Sequence, residues 1–320
     1  MAMLSGLTRN PFAAGALATL LLLLPLWVPL LTPLQALVPL PLFLVSLRLG
    51  SGAGLLAVAL LLVGAGLVGG GLMFPLAIFF LFAAFPLLAA RLLHMGLRTS
   101  HCASIAFMLG NLVLLLVLGI SLLMGLDLPV HLTSEMNTLK EAVLDALSKQ
   151  EMSAAALTEL RLNLDRLIAV VSLLLPAMVL TSWYLIQVGN LLLARSVMEQ
   201  WQEGHIAPEN LSAMRLPFML VWAVIAMGLL AMFAHGAWRH IGINWGLFLA
   251  IPYFFQGLAI LHRALQWYRV SHFVRAIVYT ALFFWTGLVL LVLLVGLFDT
   301  WIDFRLRFFD NKEDENPSGR

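Results

Sequence analysis

Residues 34–71 read LQALVPLPLFLVSLRLGSGAGLLAVALLLVGAGLVGGG, and their reading sets the class of the whole chain. The stretch alternates apolar runs with Pro39, Pro41 and eight glycines, and Arg48 is its only charge. That is the composition of a bilayer segment whose helices pack closely. Gly50 and Gly54 stand four apart, as do Gly66 and Gly70, so a helix carrying either pair is expected to offer a groove to another helix backbone. The turn between two spans is expected at Arg48 to Gly54.

Working outward, 62% of the 320 residues are hydrophobic and only 11% are charged, which exceeds what a soluble core needs. The mean hydropathy of +0.99 agrees. Nine apolar segments, 11–31, 34–49, 52–72, 74–93, 103–126, 167–187, 216–235, 243–265 and 274–298, each approach the roughly 20 residues that a bilayer core requires. The second is short and holds Pro39 and Pro41, so it reads as a broken or re-entrant helix and the count becomes eight without it. The expected fold is all-α: one polytopic transmembrane helical bundle over 1–309 with about nine spans, followed by a polar, disordered tail at 310–320. The first apolar run lacks a small-residue cleavage site and is read as a retained helix.

Arginines at 9, 48, 91, 98, 195, 215, 263, 269 and 275 fall on one side if the N-terminus is cytoplasmic, with Arg239 alone in a short loop on the other. Segment 127–165 then lies outside as an amphipathic helical hairpin between spans five and six. Thr138 and Glu141 have capping-box spacing there, and Leu139, Val143 and Leu147 form one apolar stripe, leaving Lys140, Glu141 and Asp145 for solvent. Leu160, Leu164, Leu167 and Val171 run on into the sixth span. Segment 196–215 becomes a cytoplasmic loop, with Pro208 and Glu209 at a helix start. No Asp or Glu occurs in 1–126 or 216–298, so the embedded part is expected to hold no carboxylate.

These residues exclude several chemistries. The basic residues are dispersed, without the stripe nucleic acid demands. Cys102 is the single cysteine, and no CxxC or HExxH exists to make a metal site. Lys140, Lys149 and Lys312 are the only lysines and none sits in a Walker A loop, nor is there a GxSxG elbow. No catalytic residue, metal or cofactor follows, and the chain is expected not to be an enzyme. For a ligand, Asn111 and the segment IPYFFQG, with Pro252, Tyr253 and Gln256, are the candidates, because a proline in a span frees backbone groups beside an amide. The ending GLFDTWIDFRLRFF, residues 296–309, reads as an interfacial anchor. Alternatively, Asp299 or Asp303 pairs with Arg305 or Arg307 and presents Phe304 and Phe308 to a partner.

The segment PLFLVSLRLGSGAGLLAVALLLVGAG, residues 41–66, looks like the second and third helices of the S components of energy-coupling-factor transporters. The whole length, with YFFQGLAILHRAL and GLFDTWIDFR, resembles the bacterial DUF2232, or YybS-like, family of polytopic membrane proteins. The resemblance implies an S-component-like N-terminal part in the bacterial cytoplasmic membrane and a small-molecule binding or uptake subunit. It also implies a separate coupling subunit and ATPase, with Ala14 and Ala18 as the small residues that dock the former. The last three spans depart from the usual S component, and no residue set marks a particular substrate. The competing expectation is a non-transporting protein that scaffolds or regulates an envelope complex.

Overall fold

The structure, a computed structural model of the chain, describes residues 6, 9–69, 71–149, 154–201, 218–304 and 307. All regular structure among them is helical. Six of the helices are long and apolar enough to cross a membrane, or seven if the bent pair near the end counts as one span. Two further apolar helices, Pro11–Trp27 and Phe218–Phe233, have 17 and 16 residues. At 1.5 Å per residue each is about 25 Å long, short of a roughly 30 Å hydrocarbon core. Each of the nine apolar segments contains helix among its described residues, while length and apolarity support six or seven crossings.

The chain forms two compact units, the first from Met1–Gly110 with Thr181–Glu209 and the second from Asn111–Leu180 with Asn210–Arg320. In the first unit, Asn10 opens α1, Pro11–Trp27, by accepting the Phe12 amide at 2.9 Å. Pro29 and Pro33 then impose a 3-10 segment, Pro29–Leu37, before α2, Pro39–Leu49. Pro39 and Pro41 sit in the first turn of α2, where amide hydrogens have no intrahelical partner anyway. The doubtful second span is thus a 3-10 segment leading into an α-helix, which together make one 21-residue candidate crossing. Its irregular backbone is tolerated because α2 is the core: Leu42, Phe43, Leu44 and Val45 are fully buried.

Gly50 is not a close-packing glycine. It caps α2 with φ +90°, a conformation that favours glycine, and no atom lies where its Cβ would project. It therefore lies outside α3, Ser51–Gly69, and shares no helix face with Gly54. Gly54 is the packing residue: a side chain there would overlap Ser46 Oγ and approach Leu87 at 2.9 Å. Gly66 has only Pro75 Cγ near it, at 3.5 Å, and Gly70 lies outside the described residues. Helices α1 and α3 approach closely instead at Gly15, where an added Cβ would meet Ala57 O at 2.6 Å, and at Gly64, where it would overlap Thr19.

The fourth apolar segment is α4, Met73–His94, with a π-helical turn at Phe79–Ala83. Its Ala84 amide reaches back five residues to Phe79 O. Pro86 has no hydrogen to continue that register to Leu81 O, and Gln187 Nε2 donates to this carbonyl at 2.6 Å. Asn190 Nδ2 does the same for Ala36 O in the 3-10 segment, at 2.7 Å. Both amides lie on α7, Ala154–Gln200, so they fasten the two irregular backbones to one long helix. Arg48, the lone charge of the opening stretch, lies over the Trp201 ring at 5.3 Å.

In the second unit, α5, Thr99–Leu123, arrives from the first, and α6, Leu128–Ser148, pairs with the start of α7 as a hairpin. Asp127 caps α6, so that helix begins well before the expected capping box; Thr138 instead donates to Ser134 O inside it. The inward stripe is also rotated. Leu139 and Val143 are 68% and 49% exposed, whereas Leu144 is buried and the Lys140 side chain is only 10% exposed. Lys140 Nζ meets Asp165 at 2.6 Å, Arg161 meets Glu141 at 2.6 Å, and Thr133 donates to Ser172 at 2.9 Å. These bonds set the register and turn Lys140 toward α7, its stem covering apolar surface. Residues 150–153, Pro208, Glu209 and the tail lie outside the described residues.

The remaining helices are α8, Phe218–Phe233, α9, Gly236–Trp267, α10, His272–Phe284, and α11, Thr286–Ile302. The segment expected as one ninth span breaks at Trp285, with a bend of 101° between its halves.

Candidate functional site

Two glycines create the site. A Cβ on Gly257 of α9 would overlap Val292 O, and one on Gly296 of α11 would overlap Tyr253 O, so the two backbones touch. Tyr253 and Gln256, three apart, share the face of α9 that meets α11. Asp299 follows Gly296 by three on the facing surface of α11. The approach brings Gln256 Nε2 to 2.7 Å from Asp299 Oδ2, both residues less than 10% exposed. Asp303 adopts a left-handed conformation that turns the chain back, and the Phe304 amide donates to Asp299 Oδ1 at 2.8 Å.

Asp299 lies one residue beyond the acid-free segment 216–298, and helix packing buries it. Asp299 belongs to α11 and points into the helix crossing, not outward as part of a docking turn. On the same two helices Tyr253 OH lies within hydrogen-bonding reach of Thr300 Oγ1, while Gln256 Oε1 is buried without a partner. Such an atom costs about 1–3 kcal/mol when nothing satisfies it. Asp303 serves the turn, and Arg305 lies outside the described residues. Oxygen acceptors dominate the cluster, and no thiol, imidazole or lysine belongs to it. Such a set can bind but offers no activated nucleophile.

The other sequence candidates separate. Pro252 is buried on α9 beside Tyr253. Asn111 is engaged elsewhere: its Oδ1 accepts from Trp245 Nε1 at 2.9 Å, eleven residues before Gln256 and so about 16 Å along the helix. Ala14 and Ala18 have no exposed surface and lie in a buried cluster with Ala57, Val58 and Leu61 of α3, so that face is covered within the chain and is not a docking surface. Sequence reasoning missed Thr300 and the inward turn of Asp299. The signal was present in the spacing, because Gly296 and Asp299 share a helix face just as Gln256 adjoins Gly257.

Apolar helices of crossing length, joined by short turns and fastened by buried amides, define a multi-pass integral membrane protein. Residues 16–300 match the family model described as predicted membrane protein (DUF2232), and the chain belongs to that family. No curated protein and no solved structure matches it.

Proposed function

We propose that the chain is a non-enzymatic, small-molecule binding or uptake protein of the bacterial cytoplasmic membrane, with its N-terminus cytoplasmic. The observation that carries this reading is the buried polar cluster of Tyr253, Gln256, Asp299 and Thr300 in an otherwise apolar crossing of α9 and α11. An ionisable group such as Asp299 is expensive at such a place, and its default reading is a functional site. The S-component-like pattern at 41–66 favours uptake, and the absence of a nucleotide-binding loop assigns any ATP-derived energy to a separate coupling subunit and ATPase. With Ala14 and Ala18 covered, the coupling contact lies on another face.

Native mass spectrometry of gently purified protein tests the reading. A stoichiometric small molecule that disappears in Gln256→Leu supports it; an empty chain that repeatedly carries a protein partner overturns it. The latter result belongs to the second reading, a scaffold or regulator of an envelope complex, which the exposed Leu139 and Val143 on the α6 hairpin favour.

A further inference from the structure

We infer that α10 lies flat in the bilayer interface with an apolar face in the acyl chains, and that the turn before it binds the headgroups of anionic phospholipids. This surface is separate from the α9–α11 crossing and goes beyond solute binding. Backbone contact fixes its level. Val292 O occupies the space of a Cβ on Gly257, and Tyr253 O that of one on Gly296, so α9 and α11 run antiparallel. Thr286 precedes Val292 by as many residues as Arg263 follows Gly257, and α11 therefore begins at about the level of Arg263. The chain leaves α9 at Trp267 and spends the 13 residues of α10, about 20 Å of helix, on a net displacement of about 6 Å along α9. The helix thus runs across the end of α9 and not along it, in agreement with its 101° bend from α11. Two contacts hold it there: Arg275 donates to Leu265 O at 3.3 Å, and Tyr279 OH lies 2.8 Å from His262 Nδ1.

The two faces of α10 identify what each meets. Arg275, Tyr279 and the buried Leu282 turn inward, whereas Phe273, Ile277 and Phe284 recur at helical spacing on the opposite face and are exposed. At the end of a crossing helix, an exposed aromatic and aliphatic stripe of this kind meets acyl chains. The turn supplies the polar half. Arg269 takes a left-handed conformation, φ +50°, and closes α9 with bonds from its own amide to Gln266 O at 2.9 Å and from the Val270 amide to Leu265 O at 3.0 Å. Arg263, Arg269 and His272 are exposed around this turn with Trp267 and Tyr268, residues suited to the headgroup boundary. No Asp or Glu occurs in 216–298, so the complement of these cations is the phosphate of anionic lipids. The leaflet is the cytoplasmic one in the orientation proposed above.

Spin labels on Phe273→Cys, Ile277→Cys and Phe284→Cys, in a Cys102→Ala background, report depth by collision with oxygen and a nickel chelate in vesicles of phosphatidylcholine and phosphatidylglycerol. The expected result is three nearly equal depths just below the headgroups. A progression of about 16 Å from 273 to 284 marks half of a span, and chelate access equal to that of a water-exposed label puts the helix off the membrane; either overturns the inference. The headgroup contact is read at the turn itself, from quenching of a fluorophore on Phe273→Cys by brominated phosphatidylglycerol against brominated phosphatidylcholine. The anionic lipid should be preferred, and Arg263→Gln and Arg269→Gln should each lower that preference about fivefold. Arg239→Gln, toward the other end of α9, should leave it unchanged, and Arg275 is kept because it holds the turn. Equal quenching by the two lipids, or a preference unaltered in both arginine variants, overturns the inference as well.

Discussion

At the scale of single residues, Asn244 shows what a buried amide does in this chain. Its Oδ1 accepts the Ala177 amide at 2.9 Å and its Nδ2 donates to Leu173 O at 2.9 Å, two groups that are each other's partners in an unbroken α-helix. The insertion falls beside Pro176, where α7 already lacks one ladder bond. Gln187 and Asn190 serve irregular backbone in the same manner, so all three amides act as fasteners. Gln256 differs in its partner, since it bonds a carboxylate where the other amides bond backbone; a bare oxygen is common to it, Gln187 and Asn190. Asn244→Leu should cost about 1 kcal/mol, because the helix can partly close its own ladder. Gln256→Leu should cost more, about 1.5–3 kcal/mol, because it removes a charge-assisted bond from buried Asp299. Equilibrium unfolding in mixed micelles ranks the two, and a larger loss for Asn244→Leu contradicts the distinction drawn between them.

At the scale of helices, packing follows which glycines touch backbone. Gly257→Ala and Gly296→Ala each drive a methyl into a facing carbonyl, so α9 and α11 must separate and the Tm should fall by several degrees. Gly119→Ala, on α5 with open space around it, should leave the Tm unchanged. Equal behaviour of the three variants would refute this account. The hairpin offers a second test. Lys140 is held above its ordinary value of 10.5, chiefly by its hydrogen bond to Asp165 and against the pull of desolvation. A raised lysine stabilises the fold at pH below its unfolded value, and that contribution is lost as pH rises through the folded one. Wild type should therefore lose hairpin protection in hydrogen exchange above about pH 10.5, while Lys140→Met shows no such step. Helix content was legible in the sequence because apolar length alone announces it. The stripe on α6 was not, since periodicity marks a face without its partner, and Lys140–Asp165 rotated that face by one residue. The Asp299 site was half legible: Gln256 stood out beside Pro252, but its partner lies 43 positions away and only the Gly257–Gly296 contact brings them together.

At the scale of the whole molecule, the 47 residues of α7 determine how far the chain reaches beyond the bilayer. At 1.5 Å per residue the helix is about 70 Å long, and even a 40° tilt leaves more than 50 Å along the membrane normal. A hydrocarbon core of roughly 30 Å cannot enclose it, so both ends emerge. Its polar residues agree, with Glu159, Arg161 and Asp165 toward one end and Arg195 and Glu199 toward the other. With the orientation proposed above, the Arg195 end is the cytoplasmic one. Cysteine labelling in intact cells checks length and orientation together, in a Cys102→Ala background that removes the buried native thiol. Glu159→Cys should react with a membrane-impermeant maleimide from outside, whereas Gln200→Cys should react only after the cells are opened. Reversal of the two sites would keep the crossing and invert the protein, moving the hairpin to the cytoplasm. Labelling of both from outside would show that α7 does not cross at all, and the assignment of the 167–187 segment as a span would fall with it.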